Sequence, residues 1–443
     1  MMKPARIALL LAVCAAVASC SMFGGKKKEI SEEEKAARIS LSVVDQKIEP
    51  DPALAATTVT LPPSVPATDW LQTGGNASNL TPPVVAGSDF KVAWRASIGS
   101  GTDRHKRILA PPVAKDGRIF VIDSNQRVTA VDASSGRKEW SVEMSSGNKR
   151  DEFAVGAGLA IAGDKLLVAS GYGYLTALSL TDGSEIWKHI TDNSLTGAPA
   201  VLGNRAFVTT ANNELYAFST DDGEVLWTDQ AIAETARILS APSPAVSEDV
   251  LVAPYSSGEL IAYLPANGRR LWQDTLTTIG RFTPLSAIND IAGRPVLENN
   301  IVYAASYSGV LAAIDVRSGT RMWNMLFGAR LGPVIGGDFL FIVGTEGQVL
   351  CLNKLDGKVV WSQQLTAFRN AKKKQSRVVW TGPLIADGRL VFASSEGQVL
   401  ALSIQNGETL ASLNVKQPVY IEPIAAAGLI LLLTDEGDLV AIR

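Results

Sequence analysis

Few side chains in this sequence could hold a metal or attack an electrophile. The cysteines are Cys14, Cys20 and Cys351, and no two of them stand at a CxxC spacing. Structural and catalytic zinc sites draw on clustered cysteine, histidine and carboxylate ligands. The two histidines, His105 and His189, are far apart in the chain. No acidic cluster and base assemble into one centre, as general acid–base work requires. The expectation is therefore no catalytic residue, no metal and no cofactor. Lys and Arg number 41 against 44 Asp and Glu, a net charge of -3. With no basic face interleaved with aromatics, nucleic-acid binding is excluded as well.

One cysteine does invite chemistry, the alkylation of its thiol by lipid. The chain opens MMKPARIALLLAVCAAVASCSMFGG. Lys3 and Arg6 give a positive start, and Ile7 to Val17 is an apolar run of 11 residues, too short to span a bilayer. Val17-Ala18-Ser19-Cys20 then resembles a bacterial lipobox, in which the cysteine becomes the lipid-bearing first mature residue. Bulky Val13 makes Cys14 the poorer candidate. Ser21 follows Cys20 where aspartate would signal inner-membrane retention, so the resemblance implies the outer membrane. Acylation would hold a soluble domain on a membrane without a spanning helix.

Three regions are expected. Residues 1–19 form the signal peptide. Residues 20–66 form the lipid anchor and a flexible tether, charged in KKKEISEEEKAAR and rich in Pro, Ala and Thr from Pro50 to Pro66, with one short helix near Ser31–Ser40. Residues 67–443 form the folded domain.

That domain is written in repeats, which are to be sought before anything else. Residues 347–361 read GQVLCLNKLDGKVVW and residues 397–411 read GQVLALSIQNGETLA. The same unit ends at Trp140 (AVDASSGRKEW), Trp187, Trp227, Trp272, Trp323 and Trp361, and once at Ala411, always with glycine four residues earlier. A half-unit, GDLVAIR, ends at Arg443, and DFKVAW, ending at Trp94, supplies what it lacks. Ser-Gly, Asp-Gly and Asn-Gly between apolar runs mark hairpins. Runs such as RIFVID and RLVFASS suit strands buried on both faces. Phe90 to Arg443 divides into copies of about 44 residues, the length of a four-stranded propeller blade. The expectation is an all-β, eight-bladed propeller of quinoprotein type, repeats starting at about residue 90, with the N-terminal strand closing the last blade. Trp94, Trp140, Trp187, Trp227, Trp272, Trp323 and Trp361 are expected to dock each blade on its neighbour.

Ala-x-Asp-x-x-Ser-Gly-x-x-x-Trp resembles the tryptophan-docking repeat of the pyrroloquinoline-quinone propellers. Trp70–Asn76, WLQTGGN, resembles the entry segment of that superfamily and is expected near the closure. An enzyme of this class, a quinoprotein dehydrogenase, would need a quinone, calcium, an aspartate base and longer loops. Its alcohol dehydrogenases also carry an adjacent Cys-Cys pair, which this chain lacks.

Lipobox, tether and repeats ending in GDLVAIR together resemble the BamB family, lipoproteins of the outer-membrane β-barrel assembly (BAM) machinery. The resemblance implies a non-enzymatic scaffold on the periplasmic side of the outer membrane. Its partners would be a BamA-type barrel protein, other BAM subunits and nascent outer-membrane proteins. AETARILSAPSPAV (233–246) and SAINDIAGRPVL (286–297) are similar to family segments that face BamA. Arg237 matches the family arginine and Asp290 the first family acid. The second acid is Ala292 here, and Glu234 and Ala236 replace neighbouring leucines. The alternative for Arg237 and Asp290 is a purely structural role. The alternatives for the whole chain are the dehydrogenase and a cell-wall or polysaccharide-binding propeller. The most basic loop, residues 365–380, reads LTAFRNAKKKQSRVVW and is expected to be solvated, with a partner or headgroup contact as the alternative.

Overall fold

Each repeat folds as a four-stranded antiparallel sheet. Val113–Lys115, Arg118–Ile122, Arg127–Asp132 and Lys138–Glu143 pair in chain order through short turns. The two middle strands are buried over almost their whole length, because both of their faces meet protein. The outermost strand alternates, with Trp140 and Val142 half-buried between exposed neighbours. Only one of its faces meets the next sheet.

The structure is a computed structural model that describes residues 47–147, 154, 156–234, 238, 240, 242–277 and 289–443. The signal peptide, Cys20, the helix expected at Ser31–Ser40 and Arg237 lie outside the described residues. Among the described residues seven sheets hold four strands each, and a six-stranded sheet includes Trp380–Ala386, Arg389–Ser394, Gln398–Ser403 and Thr409–Asn414. The helical content among them is one 3₁₀ turn, Pro52–Leu54. No helix among the described residues is long and apolar enough to cross a membrane.

The repeat's fixed positions have a common geometry. The alanine that opens the unit lies opposite the closing tryptophan: Ala130 faces Trp140, Ala217 faces Trp227 and Ala313 faces Trp323. Each indole N–H then donates to a carbonyl of the following sheet, at 2.5 to 3.2 Å. The acceptor is always three residues before that sheet's hairpin glycine, as in Trp227 to Pro265, ahead of Gly268. The indole covers the glycine itself: a Cβ on Gly268 would lie 2.5 Å from Trp227 Cε3. The glycine is thus required twice, for its φ of +72° and for the room it leaves.

This geometry explains the missing tryptophan. The sheet after Ala411 is Ile424–Ala426, Leu429–Leu433, Asp438–Ile442 and Val92–Ser97. Its last two strands come from distant parts of the chain, with Trp94 opposite Ala441. No hairpin joins them, so no glycine cradle exists for an indole. Ala411 packs instead against the aliphatic core of that sheet. The N-terminal strand therefore completes the last sheet, as expected.

Two segments before Val92 depart from expectation. Residues 48–66, placed in the tether, lie along the ring. Asp51 N–H donates to Val359 O at 2.8 Å, Val59 is 2% exposed and bonds Gln405 both ways, and Val65–Pro66 pairs with Val84–Val85. Aliphatic Val59 and Leu61 supply the buried surface that a flexible linker would lack. The segment WLQTGGN is also displaced from the closure alone. With Ala77 and Ser78 it bridges innermost strands of successive sheets through Trp70 to Ala114, Leu71 to Ile161, Gln72 to Val201, Ala77 to Val246 and Ser78 to Leu297. Its backbone carbonyls and the Gln72 side chain meet the unpaired groups of inner strand edges.

Candidate functional site

Among the described residues the strand order places the inter-sheet links and the middle turns on one face of the ring. There they converge on a cavity of about 220 Å³ lined by Arg107, Arg294, Arg330, Tyr420, Glu422 and Asp435 among others. Most links end in proline just before the inner strand, as at Pro112, Pro199, Pro244, Pro295, Pro333 and Pro423. Proline biases the residue before it toward extended backbone.

Two of those pre-proline residues are charged, Arg294 and Glu422, and they pair with each other. Their side chains are 4% and 10% exposed. Arg294 is packed over Gly74 of the crossing segment, whose absent Cβ would fall 2.8 Å from Arg294 Nε. Arg330 Nη2 donates to Tyr420 O at 2.6 Å. Burial pushes the Arg330 pKa down from the ordinary guanidinium value, and the Glu422 carboxylate opposes that shift. Beside this cavity lies a smaller one lined by Thr209, Asn213, Ile238, Ser256 and Asp290, and the two share Leu109, Ser240 and Pro242.

Asp290, expected on a partner-facing rim, is 3% exposed. Its carboxylate accepts the Ile238 N–H at 2.6 Å, and its carbonyl accepts from Tyr307 N–H at 2.9 Å. The two segments singled out by sequence are thus neighbours, and Ile238 directly follows Arg237. The seven docking tryptophans sit away from this site, at the sheet-to-sheet contacts described above.

Cys351 is fully buried in a middle strand, and burial pushes its thiol pKa well up. His189 lies on an outer strand against Phe218, with ring centroids 5.5 Å apart. Among the described residues no group of three His, Cys, Asp or Glu side chains could hold a metal ion. A calcium-held quinone does not fit the cavity residues, since Glu422 already serves as the counter-ion of Arg294. The sequence reading missed Arg294, Arg330 and Glu422. Their signal was present as a charge at or near the proline that opens an inner strand.

Known proteins resemble the chain along most of its length. A family model described as outer membrane protein assembly factor BamB matches residues 83–151, 146–363 and 318–443. Outer membrane protein assembly factor BamB of Yersinia pestis is 24% identical over 353 residues, which is 79% of this chain and 87% of that one. The crystal structure of BamB from Moraxella catarrhalis superposes with a TM-score of 0.65 at 17% identity, covering 77% of this chain and 98% of that one. Quinohemoprotein alcohol dehydrogenase from Comamonas testosteroni has a TM-score of 0.67 at 13% identity, covering 84% and 80%. At such identities the two structures speak for the propeller fold alone. The family match, spanning residues 83 to 443, is what places the chain, which belongs to the BamB family of outer membrane protein assembly factors.

Proposed function

We propose that this chain is a non-catalytic scaffold lipoprotein of the outer-membrane β-barrel assembly machinery. In this reading it is an eight-bladed propeller anchored through Cys20 to the periplasmic side of the outer membrane. It docks on the soluble domains of a BamA-type barrel protein, beside other subunits, and supports insertion of nascent outer-membrane proteins. The family match over residues 83–443 carries the reading. The blade count is supported by the docking contacts, which pass from Trp94 around to Trp361 and on through Ala411 to the sheet that holds Trp94.

The segment 233–240 supplies the docking surface in this reading, and the buried link 289–297 lies behind it. Arg237 makes the outward contact, and Asp290 holds the segment that bears it. Charged rim groups of this kind set register and association rate. The test is a detergent pull-down from native envelopes with the chain tagged after Arg443, beside an Arg237→Glu variant. A BamA-type protein should be recovered by the unaltered chain and lost with the folded variant. Absence of any barrel-assembly protein from the unaltered eluate would overturn the assignment and leave a cell-wall or polysaccharide ligand to be sought.

A further inference from the structure

The turn Thr345–Gln348 joins two features that the scaffold role does not use. On one side it holds the start of segment 48–66: Gln348 Nε2 donates to Ile48 O at 2.9 Å. On the other it holds the basic loop. That loop is a hairpin, Phe368–Asn370 paired with Gln375–Arg377. Arg377 pairs with Glu346 at 2.6 Å and donates to Thr345 O at 3.3 Å. Its guanidinium also lies over the Phe368 ring, 5.1 Å from the centroid. Arg369, on the other strand, pairs with Glu396. Both arginines are thus neutralised while they fix the hairpin to the ring. Lys372, Lys373 and Lys374 are exposed at its turn.

We infer that the turn Lys372–Lys374 is an anionic-lipid contact placed beside the point where the chain from Cys20 reaches the ring. This rests on the reading of Cys20 as the acylated residue. Between Cys20 and Ile48 lie 27 residues, a reach of up to roughly 95 Å. An anchor on so long a lead limits distance from the membrane and leaves the ring free to rotate. It also keeps the ring at high effective concentration near the bilayer, where a weak second contact becomes populated. Lysines near an anionic surface raise binding about fivefold each, with a reach of a Debye length. Three of them beside the lead would turn the same edge of the ring toward the headgroups.

The experiment uses the full chain with Cys20→Ala, so that no acyl chain contributes. It is sedimented with vesicles of phosphatidylglycerol and phosphatidylcholine in equal parts, and with phosphatidylcholine alone. Binding is expected to the anionic vesicles only and to weaken with salt. The Lys372→Glu, Lys373→Glu, Lys374→Glu variant should lose on the order of 100-fold at low salt, with its thermal midpoint unchanged. A Lys26→Gln, Lys27→Gln, Lys28→Gln variant should keep most of the binding. Equal binding by the hairpin variant, loss confined to the Lys26–Lys28 variant, or no binding by any chain would overturn the inference. Acylation is read separately, by lipid labelling of the unaltered chain against Cys20→Ala. Its failure would remove the anchor reading and leave the vesicle result standing on its own.

Discussion

The Asp290 carboxylate receives the Ile238 N–H at 2.6 Å across 52 positions of sequence. It ties together the two inter-sheet segments that flank the smaller axial cavity. A hydrogen bond to a buried charged acceptor contributes about 1.5–3 kcal/mol. Asp290→Ala should therefore destabilise the ring by roughly that amount and raise hydrogen exchange at Ile238 and Ser240. Asp290→Asn keeps an acceptor and should lose less than half as much. Unchanged exchange in Asp290→Ala would show that the tie does not position the segment.

The tryptophan and glycine of adjacent sheets can be separated by mutation. Trp227→Ala should lower stability by about 2–4 kcal/mol, less than a fully buried indole because the ring is half-exposed. Gly268→Ala brings both backbone strain and a clash with that ring. Gly203→Ala, at a φ of +59° with nothing near its Cβ, brings strain alone and should lose only about 1 kcal/mol. Urea midpoints compare the two. Equal losses would mean that the close approach of Trp227 is not what demands glycine.

Arg294 and Glu422 form a buried pair, and breaking such a pair from one side strands the other charge. Glu422→Gln and Arg294→Met should each destabilise by about 3–5 kcal/mol. The joint variant should lose less than the sum of the two, a double-mutant cycle on urea midpoints being the measurement. Additive losses would show that the two side chains do not act as a pair.

The hairpin aspartates give the ring an acid sensitivity. Hydroxyls of Ser135 and Ser134 hold Asp132 below its ordinary value, and the backbone N–H and hydroxyl of Ser318 do the same for Asp315. Asp182 and Asp222 are lowered by Ser184 and Ser219 in the same way. A depressed folded-state value means that the unfolded chain binds protons first as pH falls. The contribution is complete above roughly pH 4 and is lost as pH drops through the lower folded values. Asp315→Asn should flatten the fall in urea midpoint below about pH 4 and leave its shape near neutrality unchanged. A pH profile identical to that of the unaltered chain would contradict the assignment.

The fold was legible because its contacts recur at a fixed spacing. Alanine, glycine and tryptophan occupy positions that pair within one sheet or with the next, so one unit read correctly describes all of them. Ala411 is readable as an exception, but its reason lies in the sheet after it, whose last two strands are joined by no hairpin. The site resisted for the opposite reason. Arg294 and Glu422 are 128 residues apart and occur once each, so no periodicity flags them. Asp290 was found by family likeness and assigned outward, whereas its carboxylate turns inward to Ile238. Residues 48–66 read as linker because their Pro, Ala and Thr mask the few aliphatic side chains that seat them.

The pairing of Val92–Ser97 with Asp438–Ile442 has a consequence for biogenesis. Arg95 and Asp438, 343 positions apart, meet at 3.3 Å. A chain made from its N-terminus presents its clasp early and waits for the catch until almost the last residues emerge. Until then Val92–Ser97 and the last sheet keep open edges able to accept foreign strands. Such long-range closure is slow, so the chain passes through a long-lived stage in which its own ring is unsealed.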